Sequence, residues 1–246
     1  MTALLVDRQS QLIIKVSVLG SRFFAIGTEQ HKLKTIGLKE GIVKRIGIFG
    51  GTFDPVHNGH LLLAESCCEQ IQLDEIRWIP VTISPHKQTL SVSSGTHRIE
   101  MLRLATGGNP AFVVDPIELD RGGVSYTVDT LSDLSDKQPD AAWFLLMGAD
   151  ALAGLHSWHR PEEILRLAMP VVVERPGASE IDYRSLKNLV TPDRLQEIQS
   201  LRVQMTAVDI SSSQLRAKAA AGMSLRYQTP AAVGEYIRQH KLYIAD

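Results

Sequence analysis

From Lys44 onward, apolar and polar positions alternate between two periods. Ile46-Gly47-Ile48-Phe49 is a short apolar run ending in Gly50-Gly51, the pattern of a buried strand entering a loop. Leu61, Ala64, Cys68 and Ile71 then recur at helical spacing, which predicts an amphipathic helix over 59–72. The same reading gives a strand at Arg77 to Val81, a helix at 97–106, a strand at Ala111 to Val114 and a helix at 126–135. Strands follow at Trp143 to Met147, Pro170 to Glu174 and Val203 to Val208, before helices at 212–221 and 230–240. Residues 85–96, marked by Ser91, Ser93, Ser94 and Gly95, read as a mobile loop. Strands alternating with helices imply βαβ units. The expected fold is therefore α/β, a doubly wound, mostly parallel sheet with helices on both faces and a small C-terminal helical part. Its crossovers should be right-handed, and ligands should sit beyond the carboxyl ends of its strands.

Residues 1–43 differ. They hold three acidic residues (Asp7, Glu29, Glu40) against six basic ones, and no strong turn or cap organises them. Short runs such as Leu12-Ile13-Ile14 and Phe23-Phe24-Ala25-Ile26 could make strands, and an acid-poor basic stretch also suits a transit peptide. The reading favoured here sets 1–43 apart as an N-terminal extension and 44–246 as the working domain. On that reading the natural chain starts near Val43, with the upstream stretch a gene-start artefact.

Composition narrows the class. With 246 residues, 44% hydrophobic and 22% charged, the chain can bury a substantial core, which excludes a disordered or fibrous protein. Lys plus Arg is 26 and Asp plus Glu 27, a net charge of −1, so the basic excess of a duplex-wrapping protein is missing. Phosphate chemistry then belongs to a small local site, with no nucleic-acid partner. No uncharged apolar run reaches the ~18 residues of a membrane span. Cys67 and Cys68 are adjacent, unsuited to a disulfide framework, and read as two small helix residues of a reducing cytoplasm. The oligomeric state stays open, a homo-oligomer included.

The richest stretch is Gly50-Gly51-Thr52-Phe53-Asp54-Pro55-Val56-His57-Asn58-Gly59-His60. Paired glycines let a backbone approach a ligand, and a helix start offers N–H groups to an anion. It is neither a Walker A loop, lacking Gly-Lys-Ser/Thr, nor a dinucleotide fingerprint, lacking Gly-x-Gly-x-x-Gly. Instead His57 and His60 share one face of a helix N-terminus, as phosphate-binding donors or as a capping and a packing residue. A second helix start is Ile210-Ser211-Ser212-Ser213-Gln214-Leu215-Arg216. Ser211 as N-cap with Gln214 at N3 forms a capping box, and Ile210 with Leu215 a hydrophobic staple. Arg216, one turn on, can reach a phosphate with its planar fork of donors, or be an ordinary surface arginine.

The first stretch resembles the signature of the HxGH nucleotidylyltransferase superfamily, and the second resembles its Ile-Ser-Ser-Thr-x-x-Arg motif with Ser213 in place of Thr. The resemblance implies transfer of a nucleoside monophosphate to a phosphate-bearing acceptor. It makes His57, His60 and Arg216 catalytic, with Gly50, Gly51, Thr52, Phe53, Ser211 and Ser212 also at the triphosphate. The acceptor is already an anion, so no general base is needed; aligning two anions and stabilising charge on the leaving pyrophosphate is the task. The sequence holds no clustered Asp/Glu cage, which suits Mg²⁺ arriving on the ATP.

Glu118 to Leu131, with Ser125-Tyr126-Thr127, joins a strand end to a helix; Gly148-Ala149-Asp150 ends another strand, and Trp158 lies beyond it. Trp158 could stack on a flat ring or simply pack, and Asp150 could cap a helix or bind ribose. With Ser84-Pro85-His86-Lys87, Arg175-Pro176-Gly177 and the terminal Pro230, Val233, Tyr236, Ile237 and Tyr243, these segments are similar to bacterial nicotinate mononucleotide adenylyltransferases over about 44–246. That family usually has Pro-Pro-His-Lys, so Ser84 departs from it. The resemblance implies ATP and nicotinate mononucleotide as substrates, deamido-NAD and pyrophosphate as products. It puts Tyr126, Thr127 and Trp158 at the nicotinate, Asp150 and Arg175 at the nucleotide, and Lys87 near phosphate. The rivals are the amide mononucleotide or phosphopantetheine as acceptor, and a non-catalytic nucleotide sensor. A class I aminoacyl-tRNA synthetase is excluded by the missing Lys-Met-Ser-Lys-Ser loop, and a nicotinamide-cofactor oxidoreductase by the missing glycine fingerprint.

Overall fold

The structure, a computed structural model, describes residues 2–6, 13–19, 22–26, 43–83, 93–174 and 181–244. The chain divides into two compact units, Met1–Ile42 and Val43–Asp246. In the first, β1 (Thr2–Val6), β2 (Ile13–Leu19) and β3 (Arg22–Ile26) form an antiparallel sheet in that order. Of the run Leu12-Ile13-Ile14, Ile13 and Ile14 fall in β2 while Leu12 lies outside the described residues, and the run Phe23 to Ile26 falls in β3.

The second unit is built on six strands: β4 (Arg45–Gly51), β5 (Glu75–Pro80), β6 (Phe112–Val114), β7 (Ala142–Gly148), β8 (Met169–Glu174) and β9 (Arg202–Gln204). Their order is β6-β5-β4-β7-β8-β9, and every pairing is parallel. The chain winds outward from β4 in one direction and from β7 in the other. The sheet therefore has its topological switch point between β4 and β7, where a crevice opens at the carboxyl ends.

Strand alternation explains the two layers. Ile46 and Ile48 of β4, and Trp143, Leu145 and Met147 of β7, enter one core. Phe49, Phe144 and Leu146, one residue out of phase, enter the other. The Phe49 face is covered by α1 (Asn58–Ile71), α2 (Gly95–Thr106), α8 (Ser212–Ala220) and α9 (Ala231–Gln239). The Ile46 face receives α4 (Thr127–Lys137), α5 (Ala149–Gly154), α6 (Pro161–Leu167) and α7 (Pro192–Ser200), and short α3 (Ile117–Arg121) follows β6.

Several expectations shift. Gly50 and Gly51 belong to β4 itself, paired with Ile79 and Pro80 of β5, so the loop begins at Thr52, two residues later than an apolar run ending at Phe49 suggests. The strand read at Val203 to Val208 ends at Gln204, since β8 supplies partners only up to that point. Gly95 and Thr96, read as loop, start α2, because the Ser94 side chain accepts from His97 N and caps it. Helices α3, α5, α6 and α7 carried too short or too polar an apolar stripe to be read. Of the other segment residues, 84–92 lie outside the described residues.

Candidate active site

β4 leads directly into the histidine loop. Gly51 is required by packing: a Cβ there would meet the Phe53 ring at 2.9 to 3.2 Å. Phe53 adopts φ +48°, unusual for a bulky residue, and its side chain is buried against Phe49 and Trp78. Its side chain thus belongs to the core, and only its main chain is left to meet a nucleotide.

His57 is the N-cap of α1 and His60 its N3 residue. The His57 N–H donates to His60 Nδ1 at 3.2 Å, and the two rings stack with centroids 3.7 Å apart. Because Nδ1 accepts, the neutral His60 ring carries its hydrogen on Nε2 and is an N–H donor there. Gly59 between them has a reason too: a Cβ would meet His57 Nδ1 at 3.1 Å and Cε1 at 3.2 Å. The spacing of three residues becomes a stacked pair at the positive end of a helix dipole.

The second helix start packs on this loop. Ser211 caps α8, and its capping box with Gln214 forms as the sequence pattern predicts; Leu215 is buried and Ile210 partly so in the same core. Three consecutive loop carbonyls are each met by a residue from the C-terminal part. Arg216 Nη1 donates to Asp54 O at 2.7 Å, Ser212 Oγ to Pro55 O at 2.8 Å and Thr229 Oγ1 to Val56 O at 2.8 Å. Asn58 Nδ2 adds a bond to Tyr227 O at 2.8 Å.

A cleft of about 750 Å³ opens at the switch point. Gly50, Gly51, Thr52 and His60 line one part of it, and Tyr126, Thr127 and Trp158 another. Tyr126 precedes the first residue of α4, so main-chain N–H groups of that helix start are presented there. The Tyr126 ring lies 4.6 Å from that of His159, and half-buried Trp158 packs on the adjoining core. His57, Phe53, Ser211, Ser212 and Arg216 are not among the lining residues; the last two reach the loop instead. Asp150 is exposed in the first turn of α5, between lining residues Gly148 and Ala151. Lys87 and Arg175 lie outside the described residues.

Other groups at the site carried no assignment from the sequence. Glu118 lines the cleft yet is 5% exposed; Thr130 Oγ1 donates to its Oε1 at 2.7 Å. Burial pushes its carboxyl above the usual range, against the Thr130 and Ser125 hydroxyls and the charges of Arg121 and Arg98. Arg98 is buried and donates to Thr52 O at 3.1 Å and Val81 O at 2.7 Å. Burial lowers its guanidinium pKa, opposed first by the charge of Asp54. One signal for Arg98 was present: it stands at helical spacing with Met101, Leu102 and Ala105, a charge on an apolar stripe. Burial pushes the Cys67 thiol up to about 12 and Cys68 up to about 11, the states of inert thiols.

A parallel sheet in this order, with a phosphate-type loop at its switch point, defines the nucleotide-binding α/β class. A model of the cytidylyltransferase-like family matches residues 48–218. A protein of Rhodopirellula baltica named "Probable nicotinate-nucleotide adenylyltransferase" is 42% identical over 198 residues, covering 80% of this chain and 92% of that one. Proteins of the same name from Herpetosiphon aurantiacus and Pseudomonas aeruginosa are each 41% identical, over 82% of this chain and 100% and 98% of theirs. The chain belongs to the cytidylyltransferase-like family and, within it, to the nicotinate-nucleotide adenylyltransferase family. In fold it is similar to a Plasmodium falciparum nicotinic acid mononucleotide adenylyltransferase, solved complexed with APC and with NaAD. Those two structures have TM-scores of 0.61 at 17% and 18% identity, each covering 81% of this chain and 97% of the other.

Proposed function

We propose that this protein transfers the adenylyl group of ATP to nicotinate mononucleotide, giving deamido-NAD and pyrophosphate. One observation carries the reading: His60 with Gly50 to Thr52, and Tyr126 with Thr127 and Trp158, line a single cleft at the switch point. The first set suits a polyphosphate. Nothing bulkier than a backbone stands at Gly50 and Gly51, and the His60 imidazole lines the cleft beside them at the positive end of α1, where phosphate charge is favoured. The second set suits a flat ring with a carboxylate, stacked on Trp158 and met by N–H groups at the start of α4. The family's named substrates are ones with these two ends.

In this reading the acceptor phosphate attacks the α-phosphorus of ATP and pyrophosphate leaves. His57, His60 and Arg216 stabilise the charge that collects on the departing oxygens, with the main-chain N–H groups at the Ser211-capped start of α8 supplying further donors while the Ser212 hydroxyl stays on Pro55 O. The donor set at the loop is imidazole, guanidinium, hydroxyl and main-chain N–H, which fits phosphate oxygens. Mg²⁺ enters on ATP as part of the substrate and neutralises phosphate charge. The inert thiols and small nucleotide substrates suit work in the cytoplasm.

Pyrophosphate release from ATP and Mg²⁺, measured first with nicotinate mononucleotide and then with its amide, tests the proposal. Turnover should require the mononucleotide and favour the acid. Equal rates without any acceptor, or none with either, would refute it.

A further inference from the structure

Asp54, a residue of the histidine loop itself, is wholly buried and has no part in the chemistry above. Tyr243 OH donates to its Oδ1 at 2.6 Å, and the Ser93 main-chain N–H donates to its Oδ2 at 3.0 Å. Its own main-chain oxygen accepts from Arg216. One residue thus joins the loop, the segment before α2, the helix α8 and the C-terminal turn. Arg98 stands beside it, bonded to Thr52 O on the same loop, to Val81 O just after β5 and to Ser93 O.

Tyr243 is held unusually for this purpose. Its backbone lies at φ +67°, in the left-handed region, and Lys241 two residues earlier is at φ +49°. Bulky residues keep that conformation only where the surroundings over-determine it. Here the turn after α9 brings the phenol onto a buried carboxylate, and burial with the Asp54 bond raises the phenol's pKa, keeping it a donor.

Resting on the function proposed above, we propose that Tyr243 is a positioning residue for adenylyl transfer. Its hydroxyl, through the Asp54 carboxylate, fixes the carbonyl to which Arg216 is bonded, and so sets the guanidinium relative to the histidine pair. Without the hydroxyl, Asp54 Oδ1 loses its partner where water does not replace it, and the peptide that carries Arg216's acceptor shifts with the side chain. Charge partners in transfer reactions tolerate little displacement, so the loss falls on kcat. Tyr126, Thr127 and Trp158 share none of these bonds, so the KM for mononucleotide holds.

The test compares the full-length wild type with Tyr243→Phe and Leu242→Ala, the latter removing packing from the same turn without touching Asp54. Steady-state kinetics and amide hydrogen exchange are read on each. For Tyr243→Phe, kcat falls about tenfold with the mononucleotide KM within about twofold, as a misplaced charge partner requires. Exchange rises in peptides covering 52–57 and stays unchanged in β7. Leu242→Ala keeps kcat within about twofold, its loss being one of packing rather than alignment. Wild-type kcat in Tyr243→Phe, an equal loss in Leu242→Ala, or exchange rising equally in β7 would each overturn the proposal. A wild type inactive with nicotinate mononucleotide defeats the functional reading instead, and the exchange pattern still decides whether Tyr243 holds the loop.

Discussion

Arg216 and Asp54 are separated by 162 residues and joined by one bond, Nη1 to main-chain oxygen at 2.7 Å. The arginine is half-buried, and its planar fork anchors one N–H on the loop that follows β4. A guanidinium is well made for this, since one donor can be fixed while others meet an anion.

Removing that group has a defined cost. Arg216→Ala lowers kcat by about 10²-fold, the effect of losing one charge partner of the transition state, and His60→Ala does the same. Circular dichroism checks that both variants stay folded, and pyrophosphate release gives the rates. Wild-type turnover in either folded variant contradicts the assignment.

Gly59→Ala tests the stacked histidines without removing either. The new Cβ, 3.1 Å from His57 Nδ1, forces the ring to move. We expect kcat to drop about tenfold by misalignment while helix α1 survives, because alanine is a better helix former than glycine. Steady-state rates together with the thermal midpoint separate the two effects.

Trp158→Ala acts at the other end of the cleft. Losing the indole face raises the KM for the mononucleotide by about tenfold, the ~1.4 kcal/mol of a stacking contact, and leaves the KM for ATP near its starting value. A rise confined to ATP would place the indole at the adenine instead.

Glu118 predicts a pH signature. Burial raises its carboxyl above the ordinary glutamate value of 4.5, so the folded protein holds this proton more tightly than the unfolded chain does. The resulting stabilisation is fully present below about pH 4.5 and is lost as pH rises through the higher folded value. Glu118→Gln keeps an acceptor for Thr130 and abolishes the titration. Relative to that variant, the wild type should therefore lose stability as pH climbs from about 4.5 toward neutrality. Urea unfolding of both proteins at several pH values measures the difference, and parallel curves would refute it.

Cys67 and Cys68 should prove dispensable. A thiol at about 12, as for Cys67, is almost wholly protonated at about pH 8. The native protein should resist alkylation there, seen by intact mass, and Cys67→Ala with Cys68→Ala should turn over at the wild-type rate.

Much of this was legible because its causes are local. The period of two and the apolar runs marked β4, β5, β7 and β8, and Ser211 with Gln214 marked a capped helix, since a capping box needs only four residues. The Gly-Thr-Phe-Asp-Pro-x-His-x-Gly-His stretch stood out for the same reason, a glycine pair set just ahead of a helix start. Short polar helices such as α7 escaped, because their apolar stripe is too thin to stand out from a loop.

What the letters alone could not supply was which distant group meets which. Ser212 and Arg216 reached loop carbonyls rather than the cleft lining, and Phe53 turned its ring into the core. The bonds by which Asp54, Arg98 and Tyr243 tie distant segments together took shape only when the sheet and the C-terminal helices closed around them. A buried polar group must find its partner wherever the chain happens to pass, and that partner is chosen by three-dimensional packing, not by sequence spacing.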